Sequence, residues 1–202
     1  MNVLVTGGTS GLGLAMASAL ARAGAMVALT GRSGQRASSV AAELPGAVGV
    51  ELDVRDESSV ASAVEQAWSR LGGIDMLVNN AGIGMRMVNP RFMTHAQGFW
   101  EVPVGAFRGV IETNLTGYFL VGREVTPRML AAGSGRIVNI SVSDSTMYRA
   151  GFVPYGPSRG RCPGLWPPTC GTRESPSICY RRAARRSLAC CPSTACPRAE
   201  NS

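Results

Sequence analysis

Thr6-Gly7-Gly8-Thr9-Ser10-Gly11-Leu12-Gly13 stands between a short apolar run, Val3-Leu4-Val5, and a segment of helical spacing. Glycines in such a loop let the chain turn sharply and bring its backbone close to a pyrophosphate. The amide N–H groups at the start of the following helix then face the anion, aided by the helix dipole. The spacing is Gly-x-x-x-Gly-x-Gly rather than the commoner Gly-x-Gly-x-x-Gly. A second signal is Thr30-Gly31-Arg32, at the end of the next apolar run. An acidic residue there would accept both hydroxyls of an adenosine ribose. Arg32 is instead placed to meet a 2′-phosphate, with Arg36 as a second cation, so the reading favours NADP and leaves NAD open. The plain alternative for Arg32 is a solvated loop charge.

Four further groups follow in order: Leu52-Asp53-Val54, Asn79-Asn80-Ala81-Gly82, Asn114 within Thr113-Asn114-Leu115-Thr116-Gly117, and Ser143 with Tyr155. Singly each has a bland reading. Asp53 could cap a helix or pair with a cation, Asn79 and Asn80 could close a turn, and Tyr155 could be a surface aromatic. Together with the glycine loop, the five in sequence resemble the short-chain dehydrogenase/reductase family, over residues 1 to about 159.

That resemblance implies an NAD(P)-dependent oxidoreductase, moving a hydride between a nicotinamide and a carbonyl or secondary alcohol. Its alternative is a dinucleotide-binding remnant without catalysis. The resemblance implies cofactor contacts from Thr6, Gly7, Thr9, Ser10, Gly11, Leu12, Gly13, Arg32, Asp53, Val54, Asn80, Ala81 and Gly82. It implies catalytic roles for Asn114, Ser143, Tyr155 and the residue four beyond the tyrosine. In the family the tyrosine exchanges a proton with the substrate oxygen, the serine polarises that oxygen, and the asparagine anchors a relay water. A lysine four residues on lowers the tyrosine pKa and holds the nicotinamide ribose. Here Tyr155-Gly156-Pro157-Ser158-Arg159 puts arginine in that place. Arginine keeps the charge that a phenol of pKa about 10 needs nearby, but its planar fork differs from a compact ammonium. Ser143 lies twelve residues before Tyr155, Ser141 fourteen, and Val142 stands between them; Ser143 is preferred.

The elements that must carry these residues alternate. Apolar runs at 3–5, 26–29, 48–52, 74–78 and 136–141 read as strands. Helical spacing covers about 12–23, 35–44, 56–71 and 104–132, with Asp56 as a cap, Gly72-Gly73 as a stop and a kink at Pro127. This β-α alternation predicts an α/β fold, a Rossmann-like doubly wound parallel sheet of five strands, incomplete at its C-terminal side. Gly84–Val104 is long for a connection. Its Met, Phe and Trp content suits either a substrate wall or a packed surface loop.

Composition divides the chain at about residue 158. All 20 basic residues are arginine, which suits a GC-rich gene. Residues 1–158 hold 12 Arg and 11 acidic residues, whereas 159–202 hold 8 Arg and 2 acidic, so the excess charge sits in the tail. All six cysteines, Cys162, Cys170, Cys179, Cys190, Cys191 and Cys196, lie there too. They form no Cys-x-x-Cys, and His95 is far away in sequence, so no metal site is expected. The tail lacks helix or strand periodicity and reads as disordered. A shift of reading frame near codon 159 explains it. Strand five then becomes a bare sheet edge, and the family's oligomer interface is lost. The charge lacks the interleaved aromatics of a nucleic-acid surface. No run reaches the roughly 18 apolar residues of a membrane span, and no basic leader precedes the first strand, so the expectation is a cytoplasmic protein acting on a small molecule.

Overall fold

The computed structural model describes residues 1–159 and 177–182. Among these, six strands build one all-parallel sheet in the order β3-β2-β1-β4-β5-β6. They are β1 Asn2–Val5, β2 Met26–Gly31, β3 Ala47–Glu51, β4 Met76–Asn79, β5 Arg136–Ser141 and β6 Ser177–Arg182. The main helices are α1 Gly11–Arg22, α2 Gly34–Ala42, α3 Glu57–Leu71, α4 Val104–Ile111 and α5 Gly117–Ala131; the short α6 Asp144–Met147 and α7 Tyr155–Arg159 follow β5.

Period-two alternation sends the strand residues to two cores. Leu4, Ala28, Leu77 and Ile137 face Val60, Val64 and Ala67 of α3 and Val121, Val125 and Met129 of α5. Their neighbours Val3, Val5, Val27, Leu29 and Val78 face Met16, Ala17 and Ala21 of α1 and Ala37 and Ala41 of α2. A strand buried on both faces must be apolar throughout, which is why these strands read as uninterrupted runs. Each fully buried Val, Leu or Ile contributes about 1.5–3 kcal/mol.

Caps set the helix limits. Asp56 accepts a hydrogen bond from the Ser59 amide at 2.7 Å, and Gly72 ends α3 at φ 73°. Ser33 caps α2 by accepting from the Arg36 amide at 3.3 Å. The chain runs β1 to β2 to β3 outward, then returns so that β4 lies on the other side of β1. This reversal leaves a crevice at the C-terminal ends of β1 and β4. The glycine loop follows β1, and residues 80–83 follow β4, so both line that crevice.

Two expectations are corrected. Strand five is not the bare edge, because β6 pairs with β5 along its whole length, from Arg136 beside Ser177 to Ser141 beside Arg182. The backbone there meets the ladder requirement that a composition reading could not see. The remainder of the tail, with every cysteine but Cys179, lies outside the described residues. The second correction concerns the long helix over 104–132. It is interrupted by a π-helical turn at Glu112–Thr116, which divides α4 from α5. Pro127 sits within α5, where Thr126 Oγ1 donates to the Gly122 carbonyl at 2.6 Å.

Candidate active site

The glycine loop is fixed by backbone crowding. Gly7 has φ 65°, and a Cβ there would lie 2.9 Å from Ala81 Cα. A Cβ on Gly13 would strike the Gly7 carbonyl and the Asn80 side-chain amide. The Asn80 amide nitrogen donates to the Thr6 and Gly7 carbonyls at 3.0 and 3.1 Å. Thr6 Oγ1 accepts from the Asn80 and Ala81 backbone amides, both at 3.0 Å. The loops after β1 and β4 are thus stitched into one rigid floor.

The start of α1 differs from the starts of α2 and α3. Ser10 makes no side-chain cap, whereas Ser33 and Asp56 cap α2 and α3. The first amides of α1 are left for an external anion, as the loop chemistry requires. A cavity of about 720 Å³ opens above, and its wall includes Gly7, Thr9, Ser10, Gly11, Leu12 and Gly13. Arg32, Asp53, Val54, Asn80, Ala81 and Gly82 continue the same wall. A dinucleotide fits this cradle, since the close backbone approach and uncapped amides are what its pyrophosphate needs.

Arg32 lines the cavity at the end of β2 and has no ion pair among the described residues. Asp53 is less free. Arg55 donates to its two carboxylate oxygens at 3.0 and 2.6 Å. That hydrogen bonding holds the Asp53 carboxyl below its ordinary pKa. The motif comparison passed over Arg55, although an arginine two residues after an aspartate in a turn is a visible pairing signal.

Tyr155 and Arg159 bound the inner end of the cavity. Tyr155 packs against Met85, Val88, Val110 and Phe152, an apolar cluster supplied largely by the segment after β4. This burial raises the phenol pKa above its ordinary value. The Arg159 guanidinium turns to the strand ends instead, donating to the Ile140 carbonyl at 2.9 Å and to the Ala81 and Asn80 carbonyls at 3.4 and 3.5 Å. It lies over the Tyr118 ring at 4.8 Å, and a Cβ on Gly82 would collide with it. Burial lowers its pKa to about 10. Arg159 thus keeps its charge at the cavity and spends its hydrogen bonds on backbone carbonyls.

Three expected site residues do not reach the cavity wall. Thr6 is fully buried and spends its hydroxyl on the floor. Asn114 is also fully buried. It accepts from the Ile83 amide at 2.8 Å and donates to the Ile83 carbonyl at 2.9 Å and Ser158 Oγ at 3.2 Å, tying the π turn to the β4 loop and α7. Ser143 Oγ lies 3.0 Å from Ser145 Oγ and 2.9 Å from Thr146 Oγ1, whereas Ser141 and Val142 line the cavity. Sequence reasoning missed Gly105, Ala106, Gly109 and Thr113, which form the cavity side of α4 and the π turn. The i, i+4, i+8 spacing of Gly105, Gly109 and Thr113, with Ala106 beside the first, was the available signal.

The family model described as short chain dehydrogenase matches residues 1–165. The chain belongs to the short-chain dehydrogenase family. The match runs six residues past the motif reading. Among short-chain dehydrogenases, the 3-oxoacyl-(acyl-carrier-protein) reductase of Aquifex aeolicus is 41% identical over 143 residues, 68% of this chain and 54% of that protein. A 3-ketoacyl-(acyl-carrier-protein) reductase of Brucella melitensis, complexed with NADH, superposes with TM-score 0.69 at 31% identity, covering 78% of this chain and 64% of that one. An actinorhodin polyketide ketoreductase variant with NADPH gives TM-score 0.68 at 33% identity, covering 78% and 59%. The chain thus spans about half the length of the curated relatives it matches.

Proposed function

We propose that the protein is an NAD(P)-dependent oxidoreductase transferring a hydride between a nicotinamide and a small-molecule carbonyl or secondary alcohol. The observation that carries this reading is one cavity with an anion cradle at one end and a half-buried tyrosine at the other. When bound, the nicotinamide supplies or accepts the hydride. Gly7 to Gly13 hold the pyrophosphate, Asp53, Val54, Asn80, Ala81 and Gly82 border the dinucleotide, and Arg32 meets a 2′-phosphate, which favours NADP over NAD. Burial holds the Tyr155 phenol pKa above its ordinary value. Its hydroxyl borders the cavity and is suited to exchange a proton with the substrate oxygen as hydride moves in either direction. Arg159 anchors the strand ends under the nicotinamide ribose, and Asn114 positions the floor. Ser143 polarises the substrate oxygen once its hydroxyl turns from Ser145 and Thr146; comparing Ser143→Ala with Ser141→Ala separates the two serines.

The same reading takes residues 1–158 as the dinucleotide-binding unit and 159–202 as an out-of-frame-like tail. It places the protein in the cytoplasm, with no nucleic-acid or membrane partner and with the family's oligomer interface disturbed. Among the described residues no helix is long and apolar enough to cross a membrane. The test is fluorescence titration with NADPH and NADH, followed by NADPH consumption over a ketone panel. Tighter NADPH binding with measurable reduction is expected. Binding without turnover by any ketone would instead identify a catalytically silent remnant.

A further inference from the structure

The outer part of the cavity has a chemistry that the cofactor reading does not use. Its charged wall residues Arg32, Asp53 and Arg55 stand at the ends of β2 and β3, and Arg159 is turned to backbone carbonyls. On the α4 side the wall is mostly apolar: Ile83, Met87, Gly105, Ala106, Gly109 and Val142, with the Thr113 hydroxyl at the π turn and the Ser141 hydroxyl engaged by the Arg159 carbonyl.

Gly105 and Gly109 are one helical turn apart, so they share a face of α4. A Cβ on Gly105 would meet nothing within 4 Å, and one on Gly109 would meet only Ile83 Cδ1 at 3.8 Å. Neither glycine is demanded by backbone conformation or by crowding, unlike Gly7 and Gly13. Both leave open space along the cavity. Ala106 and Ile83 pack in the same apolar cluster as Tyr155, so this space adjoins the tyrosine. On this wall Met87 is 67% exposed, which leaves apolar surface in water with no protein cover among the described residues. Exposed apolar surface continuous with a cavity is a feature of binding sites, and covering it with an apolar ligand is favourable.

We infer that α4 presents an apolar shelf, floored by Gly105 and Gly109, that seats the ring of a bulky apolar ketone with its carbonyl toward Tyr155. The substrate class is therefore alicyclic or aromatic carbonyl compounds rather than small polar ones. For the fate of the ketone this rests on the oxidoreductase reading; for its binding it does not. Met87, exposed and unbranched, is free to shift over the ring and accommodate its outline.

The experiment uses the full 202-residue chain. Binding of 2-tetralone is measured by saturation-transfer NMR for the parent, Gly109→Leu and Gly109→Ala, with circular dichroism melts of all three. NADPH affinity of the parent is measured separately. Gly109→Leu fills the shelf and is expected to weaken 2-tetralone at least tenfold, and Gly109→Ala by less. The alanine Cβ has room, so that variant stays folded and keeps the comparison decisive. In turnover, the preference for 2-tetralone over acetone should fall at least tenfold in Gly109→Leu. Equal 2-tetralone affinity in parent and Gly109→Ala and Gly109→Leu, or no binding by the parent at millimolar concentration, overturns the shelf. Ketone binding that weakens as described in a chain that fails to bind NADPH supports the shelf and overturns the oxidoreductase reading alone.

Discussion

The two ends of the cavity are built on different principles. The cradle is local: most of it is the eight consecutive residues from Thr6, after β1, to Gly13 in the first turn of α1, and its working groups are backbone amides. The tyrosine end is assembled from the β4 loop, the 84–102 segment, α4 and α7, and its working groups are side chains whose pKa values depend on burial. A backbone-built site tolerates changes of side chain so long as its glycines remain. A site built from distant side chains is retuned by any change in what surrounds it.

The largest test of this contrast is Gly13→Val. Its Cβ would press on the Gly7 carbonyl and Asn80 side chain; overpacking of this kind costs about 3 kcal/mol. NADPH binding should vanish, with a lower melting temperature, as read by fluorescence and circular dichroism. Tyr155→Phe should act at the other end only. Loss of a positioned proton donor lowers turnover roughly 10²–10⁴-fold, while the NADPH dissociation constant stays the same. Unequal NADPH affinity between Tyr155→Phe and the parent would dissolve the division into two ends.

Arg32→Asp is a smaller, directional change at the cradle. A lost charge-assisted bond of about 1.5–3 kcal/mol is roughly a tenfold to hundredfold loss of NADPH affinity. Binding of NADH should fall little or rise, and equal affinities in parent and variant would count against a 2′-phosphate contact. The smallest effect is in pH dependence. Tyr155 releases its proton above its ordinary pKa, so ketone reduction should stay flat as far as about pH 10 while alcohol oxidation rises about tenfold per unit toward it. The ultraviolet difference titration of parent against Tyr155→Phe should give a midpoint above about 10. The folded chain then holds a proton that the unfolded chain has lost, so stability declines as pH rises through that range.

The sequence reveals the parts of this molecule that obey a period or a motif. Val3-Leu4-Val5 and Met26-Val27-Ala28-Leu29 could only be buried strands, and Asp56 with Gly72 marks both ends of α3. The glycine loop announces its anion in the same way. What could not be read is where long-range packing aims a side chain. Nothing local says that Arg159 turns to the Ile140 carbonyl rather than to the phenol, or that Ser143 turns toward Thr146. β6 was hidden because a pairing partner supplies the order that its composition lacks. The Gly105–Gly109 face was readable only as spacing, without a reason to prefer a cavity wall over a helix contact.

The π turn at Glu112–Thr116 has one more consequence. Such a turn accommodates one residue beyond the α-helical repeat. Each residue in a helix advances it by about 100°. Deleting one residue from the turn would join α4 and α5 into a continuous α-helix, yet α5 is clamped to the sheet through Val121, Val125 and Met129. The misfit would therefore be taken up on the other side, swinging α4 by about 100° and carrying Gly105 and Gly109 off the cavity. The extra residue acts as a phase lock between the half of the helix that builds the core and the half that faces the ligand. A length change of one residue there should damage the site more than most exchanges of one side chain for another.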